Sequence, residues 1–153
     1  MSRLGEFVRV VEKAFAYITS DKRLLVFQHV GIPEAGVQVP GGSVRPGELP
    51  SAAATREAGE ETGLSCFGDP HILGIQEFDA RPYGKDEIHR RHFFHLPLQG
   101  AIKDRWRSFE TDPSDGSGLS IEFECYWVSF EEAEAHLSYG HGAMIDGLRA
   151  CCR

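Results

Sequence analysis

The chain has 153 residues, of which 41% are hydrophobic and 25% charged, enough for one compact domain with its own core. Its formal net charge of −7, from 16 Lys and Arg against 23 Asp and Glu, excludes a protein that tracks a nucleic-acid backbone, because that task needs a basic stripe. No run approaches the ~20 apolar residues of a membrane-spanning helix, and residues 1–6 show no apolar signal-peptide core, so the expected setting is the cytoplasm, without a membrane partner.

Residues 8–11 and 14–18 are apolar runs separated by Glu12 and Lys13. They predict one strand, or a strand with a break. Asp21-Lys22 is a turn signal, and residues 24–27 predict a partner strand. Residues 31–36 read as a loop. Val37-Gln38-Val39 alternates briefly, and Pro40-Gly41-Gly42 is expected to end that strand. Pro50 suits the first position of a helix and Gly63 the residue just past its end. The intervening residues are mostly strong helix formers. Gly59 lies among them at a cost of ~1 kcal/mol relative to Ala, and no sequence feature accounts for it.

Residues 72–78 and 91–98 predict two further strands, with a loop over 79–90. Residues 111–118, rich in Gly, Ser and Asp, predict a flexible loop. Residues 121–128 form the clearest late strand. Ser129 can cap a helix beginning Phe130-Glu131-Glu132. Within 142–151, Met144, Ile145 and Leu148 fall at helical spacing and predict a short packed helix. There is no internal repeat and no regular βαβ alternation, which favours an α+β domain spanning residues 1–153. Cys66, Cys125, Cys151 and Cys152 form no C-x-x-C pair. They are expected to be reduced, two buried and two in a fraying tail.

The chemistry concentrates in residues 42–64. Glu57, Glu60 and Glu61 stand at i, i+3 and i+4, on one face of the predicted helix. Three carboxylates so placed repel one another unless a cation joins them, and hard divalent cations such as Mg²⁺ prefer oxygen ligands. They lie in the last turns, where the helix dipole favours positive charge by roughly 0.3–1 kcal/mol. A solvated acidic helix with an Arg56–Glu60 pair is the bland alternative. The preceding Gly41-Gly42 and Gly47-Glu48 argue against it, because they let backbone approach closely and then turn the chain into the helix.

Gly42, Glu48, Arg56-Glu57-Ala58, Glu60-Glu61, Gly63 and Leu64 fill every fixed position of G-x5-E-x7-R-E-U-x-E-E-x-G-U, where U is apolar. The segment therefore resembles the Nudix box. Its surroundings are similar to that family too, from Val39-Pro40-Gly41-Gly42 through the helix to Trp127-Val128-Ser129 and Glu131-Glu132. The resemblance implies a mixed β-sheet packed between helices, an α/β/α sandwich. It also implies a metal-dependent hydrolase that cleaves the diphosphate linkage of a nucleoside diphosphate joined to another moiety, with Mg²⁺ or Mn²⁺ as cofactor. Carried over, Glu57, Glu60 and Glu61 and the Gly41 carbonyl would bind metal, and Arg56 and Glu48 would orient the carboxylates.

The box does not locate a further acidic residue outside the helix. Glu122 is the preferred candidate, with Glu124 and Asp115 as alternatives; the first two would share one strand face. Arg45, Arg81 and Arg91 are candidate substrate-binding cations, with Lys85 and Arg90 as further options. His89, His92 and His95 are a poor zinc site, because three-residue spacing on a strand alternates faces. Phe27, Tyr83 and Trp106 read as core or rim packing. The resemblance implies a small nucleotide-type diphosphate as partner, and a homodimer is the expected assembly. Two rivals share the fold: a non-catalytic metabolite-binding module, disfavoured by the complete carboxylate set, and a diphosphate isomerase, whose catalytic groups are not identifiable here.

Overall fold

In the computed structural model, residues 8–110 and 121–152 are described; the expected loop at 111–118, Asp115 and residues 1–6 lie outside them. The elements are β1 (Arg9–Ser20), β2 (Arg23–His29), β3 (Gly41–Ser43), α1 (Pro50–Thr62), β4 (His71–Asp79), β5 (Glu87–Pro97), β6 (Arg105–Glu110), β7 (Ile121–Ser129), α2 (Phe130–His136) and α3 (Ile145–Cys151). One sheet runs β4-β5-β1-β2-β7-β6, with β3 paired to β1 off this path. β1 and β5 are parallel, and the other pairings are antiparallel. The sheet is mixed, as expected, and the class is α+β.

β1 is the central element and a single strand. Residues 14–18 are buried on both faces, which explains why the sequence shows a continuous apolar run there instead of alternation. Ala14, Ala16 and Ile18 face one core with Leu25, Phe27, Phe94, Leu96, Phe123 and Cys125. Ala53, Ala54 and Ala58 of α1 close that core, and their small side chains bring the helix axis close to the sheet. Phe15 and Tyr17 face the other core with Leu24, Val26 and Phe93, closed by Ala133 of α2 and Ile145 and Leu148 of α3. The helices thus sandwich the sheet.

Local signals place the ends of the elements. Pro50 begins α1, and Gly63 caps it in the left-handed conformation, its amide donating to the Gly59 carbonyl. Ser129 and Glu132 form a reciprocal capping box at α2. Asp21 and Lys22, both at positive φ, make the two-residue turn between β1 and β2, in register Ser20↔Arg23. Tyr17 reaches through the second core: its hydroxyl donates to the His141 carbonyl and accepts from the Met144 amide. That pair of bonds fixes the segment before α3 against the middle of the sheet.

Four expectations need correction. Pro40-Gly41-Gly42 does not end a strand: Gly41–Ser43 is itself β3, in register with Phe15, Ala14 and Lys13 of β1. Val37 and Gln38 make only isolated bridges, to Leu137 and Phe27. The loop expected over 79–90 is shorter, because β5 begins at Glu87 and a 3-10 turn (Arg81–Tyr83) fills part of the remainder. β6 was not anticipated at all. Its alternation is muddled, with Trp106 packing inward while Phe109 is exposed. The cysteines are all free, but Cys66 is exposed, and Cys152 packs partly against the second core instead of fraying.

Two stability predictions follow from this frame. Lys22 holds φ 60, a conformation that costs a side-chain-bearing residue roughly 1 kcal/mol. Lys22→Gly should therefore raise stability by about 0.5–1 kcal/mol in urea unfolding, after allowing for the freer unfolded chain; a destabilised variant would refute the strain. His141 is buried, accepts from the Val39 amide at 3.1 Å and packs edge-on to Phe15. Burial, then the nearby Arg91, lowers its pKa from 6.5 to about 3. Below pH 6.5 the unfolded chain takes up a proton that the folded chain refuses, so stability falls as pH drops toward 3. In His141→Asn, which keeps an acceptor, unfolding free energy should fall less between pH 7 and 5 than in the wild type.

Candidate active site

The site is assembled where β3 lies against the face of α1. The Gly41 amide donates to Glu61 Oε1 at 2.7 Å. A Cβ on Gly42 would lie 2.4 Å from Glu57 Oε1, and one on Gly41 would lie 2.3 Å from the Phe15 ring. At Gly41 the Phe15 ring and the Ala14 carbonyl, 2.7 Å away, require glycine, whereas a side chain at Gly42 would force the Glu57 carboxylate to shift. Gly59 is a milder case: its Cβ would meet the Leu64 carbonyl at 3.4 Å, a contact on the return of the chain from the helix.

Arg56 ties the loop to the helix. Its Nε and Nη2 donate to the two Glu48 oxygens at 2.8 and 2.9 Å. Nη2 also donates to the Ser43 carbonyl at 3.1 Å, and Nη1 to Glu57 Oε1 at 2.9 Å and Glu60 Oε2 at 3.4 Å. The Glu48 carboxylate also accepts from the Arg45 amide at 3.0 Å. These bonds, with Arg56 first, lower the Glu48 pKa to about 2, and the Glu48 bond holds Arg56 firmly protonated. Arg56 is thus spent on protein groups, consistent with an orienting role.

Glu57 and Glu61 are buried, at 8% and 6% exposure. Burial raises the pKa of Glu57, against the opposing Arg56. Burial raises that of Glu61 well above the ordinary value, followed by repulsion from Glu57; the Gly41 amide opposes both, and Glu110 and Glu60 add to the repulsion. Ligand oxygens of Glu57, Glu60 and Glu110 all lie within 4.8 Å of one another. A divalent cation fits this donor set: hard oxygens, packed closely, with like charges held at short range by the fold.

Glu110 was missed in the sequence because β6 was missed. It ends that strand on the face turned to α1, the face on which Trp106 donates to the Thr62 carbonyl at 2.8 Å. Glu122 is not brought to the cluster. Ile121, Phe123, Cys125 and Trp127 pack toward α1, so alternation turns Glu122 and Glu124 to the opposite face. There they pair with Arg107 at 2.9 Å and Arg105 at 2.6 Å. Arg45 stands at the rim of the cluster, 3.8 Å from Glu60. Arg81 pairs with Asp79 at 2.8 Å in the exposed turn after β4. Arg91 is buried and lines a cavity on the α2–α3 side of the sheet, the face opposite α1. His89 and His95 share the Phe93 face of β5, and His92 points the other way to Glu12 at 2.8 Å, so the three do not converge. Trp106 and Phe27 pack in the first core, and Tyr83 sits at a rim.

Gly42→Ala should lower unfolding stability by about 1–3 kcal/mol through overpacking against Glu57. Combined with Glu57→Ala, the loss should be clearly less than the sum of the two, since the clashing carboxylate is then absent. Additive losses in urea unfolding would remove Glu57 as the group that requires glycine.

The fold has solved counterparts. A NUDIX hydrolase from Nitrosomonas europaea aligns over 95% of this chain and 92% of its own, with 22% identity and a TM-score of 0.66. A C. elegans Ap4A hydrolase aligns over 94% and 99%, with 20% identity and a TM-score of 0.64. A UDP-X diphosphatase aligns over 99% and 68%, with 16% identity and a TM-score of 0.63. No curated protein matches the chain in sequence. The family model described as NUDIX domain matches residues 11–148, and the chain belongs to that family.

Proposed function

We propose that the protein is a divalent-metal-dependent hydrolase that cleaves the diphosphate linkage of a nucleoside diphosphate joined to another moiety. The observation that carries this reading is the approach of Glu57, Glu60 and Glu110 to within 4.8 Å, beside a β3 backbone that itself touches the helix carboxylates. The names of two structural neighbours, a UDP-X diphosphatase and an Ap4A hydrolase, point toward the same bond type. The complete carboxylate set favours an enzyme over a binding module.

Glu57, Glu60 and Glu110 would hold Mg²⁺ or Mn²⁺, with Glu61 and the Gly41 carbonyl from behind. The ion supplies charge neutralisation at the diphosphate and a lowered pKa for the attacking water. The remaining work falls to the chain. Arg56, locked on Glu48, fixes Glu57 and Glu60 in position. The Gly41 amide holds the Glu61 carboxylate against β3. Glu110 reaches the cluster from a different element than the helix, so it can accept the proton of the water without giving up the helix geometry. Arg45 at the rim, 3.8 Å from Glu60, and Arg91 in the cavity on the other face of the sheet would supply positive charge to the phosphates and what they carry.

Chelation with EDTA should abolish hydrolysis, and Mg²⁺ or Mn²⁺ should restore it. Glu61→Gln, Glu57→Gln and Glu110→Gln should each lower kcat by about 10²–10⁴, measured over a panel of nucleotide-type diphosphates, while circular dichroism stays native. Glu122→Gln should stay within about threefold of wild type, as expected for an exposed pair on the far face. Full turnover by Glu110→Gln together with loss in Glu122→Gln would reverse the assignment of the outer carboxylate.

A further inference from the structure

A cavity of about 430 Å³ opens on the α2–α3 side of the sheet, bordered by Gln38, Tyr83, Lys85, His89, Arg91 and Tyr139 among others. Gln38 is three residues before Gly41, so no more than ~11 Å of chain separates the cavity wall from the amide that binds Glu61. Lys13 bridges the two regions. It donates to Ser43 Oγ at 2.9 Å and lies within electrostatic range of Lys85, Glu87, Glu57 and Arg91.

The lining is unusual for an acidic protein. No carboxylate borders the cavity among the described residues. Glu87 nearby is already bonded to His89 Nε2 at 2.7 Å. Arg91 is 4% exposed. Its Nη1 donates to the Tyr139 carbonyl and its guanidinium lies 3.7 Å over the Phe78 ring, yet no carboxylate pairs with it among the described residues. Its Nε, His89 Nδ1 and Gln76 Oε1 are buried without a partner. Those atoms are closed off within the protein; what the cavity offers an anion is the charge of Arg91 and Lys85 in its lining, with no carboxylate there to cancel it. The aromatic rings do not offer an open stacking slot: Phe78 is stacked on Tyr83 at 5.5 Å, and Tyr139 meets Tyr83 edge-on at 5.2 Å.

We propose that this cavity is a phosphoryl subsite, in which Arg91 and Lys85, backed by Lys13, bind a phosphate group carried by the moiety on the far side of the diphosphate. The proposal rests on the hydrolase reading for its connection to turnover and narrows the substrate to a diphosphate whose attached moiety is itself phosphorylated. Two cationic side chains from different strands and turns, with a third behind them, suit a dianion better than a neutral sugar or a single carboxylate.

The test is made without metal, so that the carboxylate cluster does not contribute. Inorganic phosphate is titrated into the full chain in EDTA by calorimetry, beside adenosine and guanosine. Phosphate should bind one site, more weakly as salt is raised. Affinity should fall about tenfold in Lys85→Gln, an exposed position that leaves packing intact, recover in Lys85→Arg, and fall further in Arg91→Gln. No phosphate binding, phosphate binding indifferent to Lys85→Gln, or tighter binding of a nucleoside than of phosphate would overturn the proposal. Because no turnover is measured, failure here leaves the hydrolase reading standing. Loss of hydrolysis in the Glu57 and Glu110 variants, in turn, says nothing against the subsite.

Discussion

The approach of the β3 backbone to the carboxylate face of α1 is the constraint on which the rest of the site depends. Two buried carboxylates sit at this junction, and each needs a partner there. Glu61 has the Gly41 amide, and Glu57 has Arg56. The junction exists because both neighbours are stripped of side chains. On one side stand Gly41 and Gly42; on the other stand Ala53, Ala54 and Ala58, which let α1 settle low on the first core. The helix therefore has two unlike contacts. Its alanine face is anchored by packing, and its glutamate face is aimed by that anchoring. Repulsion among the glutamates cannot be relieved by moving the helix without opening the core.

Arg56 makes this aim robust. A single guanidinium spans the Ser43 carbonyl, Glu48, Glu57 and Glu60. The loop between β3 and α1 is thereby tied to the helix through a planar, permanently charged group, which a lysine would not reproduce. The glutamates it contacts receive some neutralisation but not enough for all of them. Glu61 is raised by burial and then by repulsion from Glu57, with smaller additions from Glu110 and Glu60. This residual imbalance is what a divalent cation would settle, and it is a property of the protein's own charges.

Much of this was legible in the sequence because the decisive signals are local. The bounds of α1 follow from Pro50 and Gly63, and the shared face of the glutamates follows from helical spacing alone. The capping box at Ser129 and Glu132 is equally local. What failed was non-local. β3 is only three residues long and contains two glycines; its strand character comes entirely from pairing with β1. β6 carries little periodic signal, since its inward face presents Trp106, Ser108 and Glu110, and its outward face Arg105, Arg107 and Phe109. Without β6 there was no reason to consider Glu110. Glu122 and Glu124 do share a face of β7, but which face turns to α1 is fixed only once Phe123 and Cys125 are seen in the core under that helix. Arg91 was named for its charge, but its burial depends on Phe78, Phe15 and Tyr139, which reach it from three other parts of the chain.

The two polar centres have opposite sign, and that partition has a structural cause. Successive residues of β1 point to opposite faces of the sheet, so one strand can serve both cores. Ala14 leaves room for α1 and its glutamates on one face. Lys13, the preceding residue, stands on the other face and donates to Ser43 Oγ, while its backbone pairs with Ser43 of β3. The carboxylate cluster thus lies on the helix side, and Arg91 and Lys85 border the cavity on the other. Within one protein of net charge −7, such a division cannot be an average property of the surface. Under the proposed reading, the two centres suit a ligand with two different ends: one whose charge is met through a cation, and one met by Arg91 and Lys85 directly. No more than ~11 Å of chain joins Gln38 to Gly41, so a diphosphate bearing a further phosphorylated group, as proposed, would meet both centres at once.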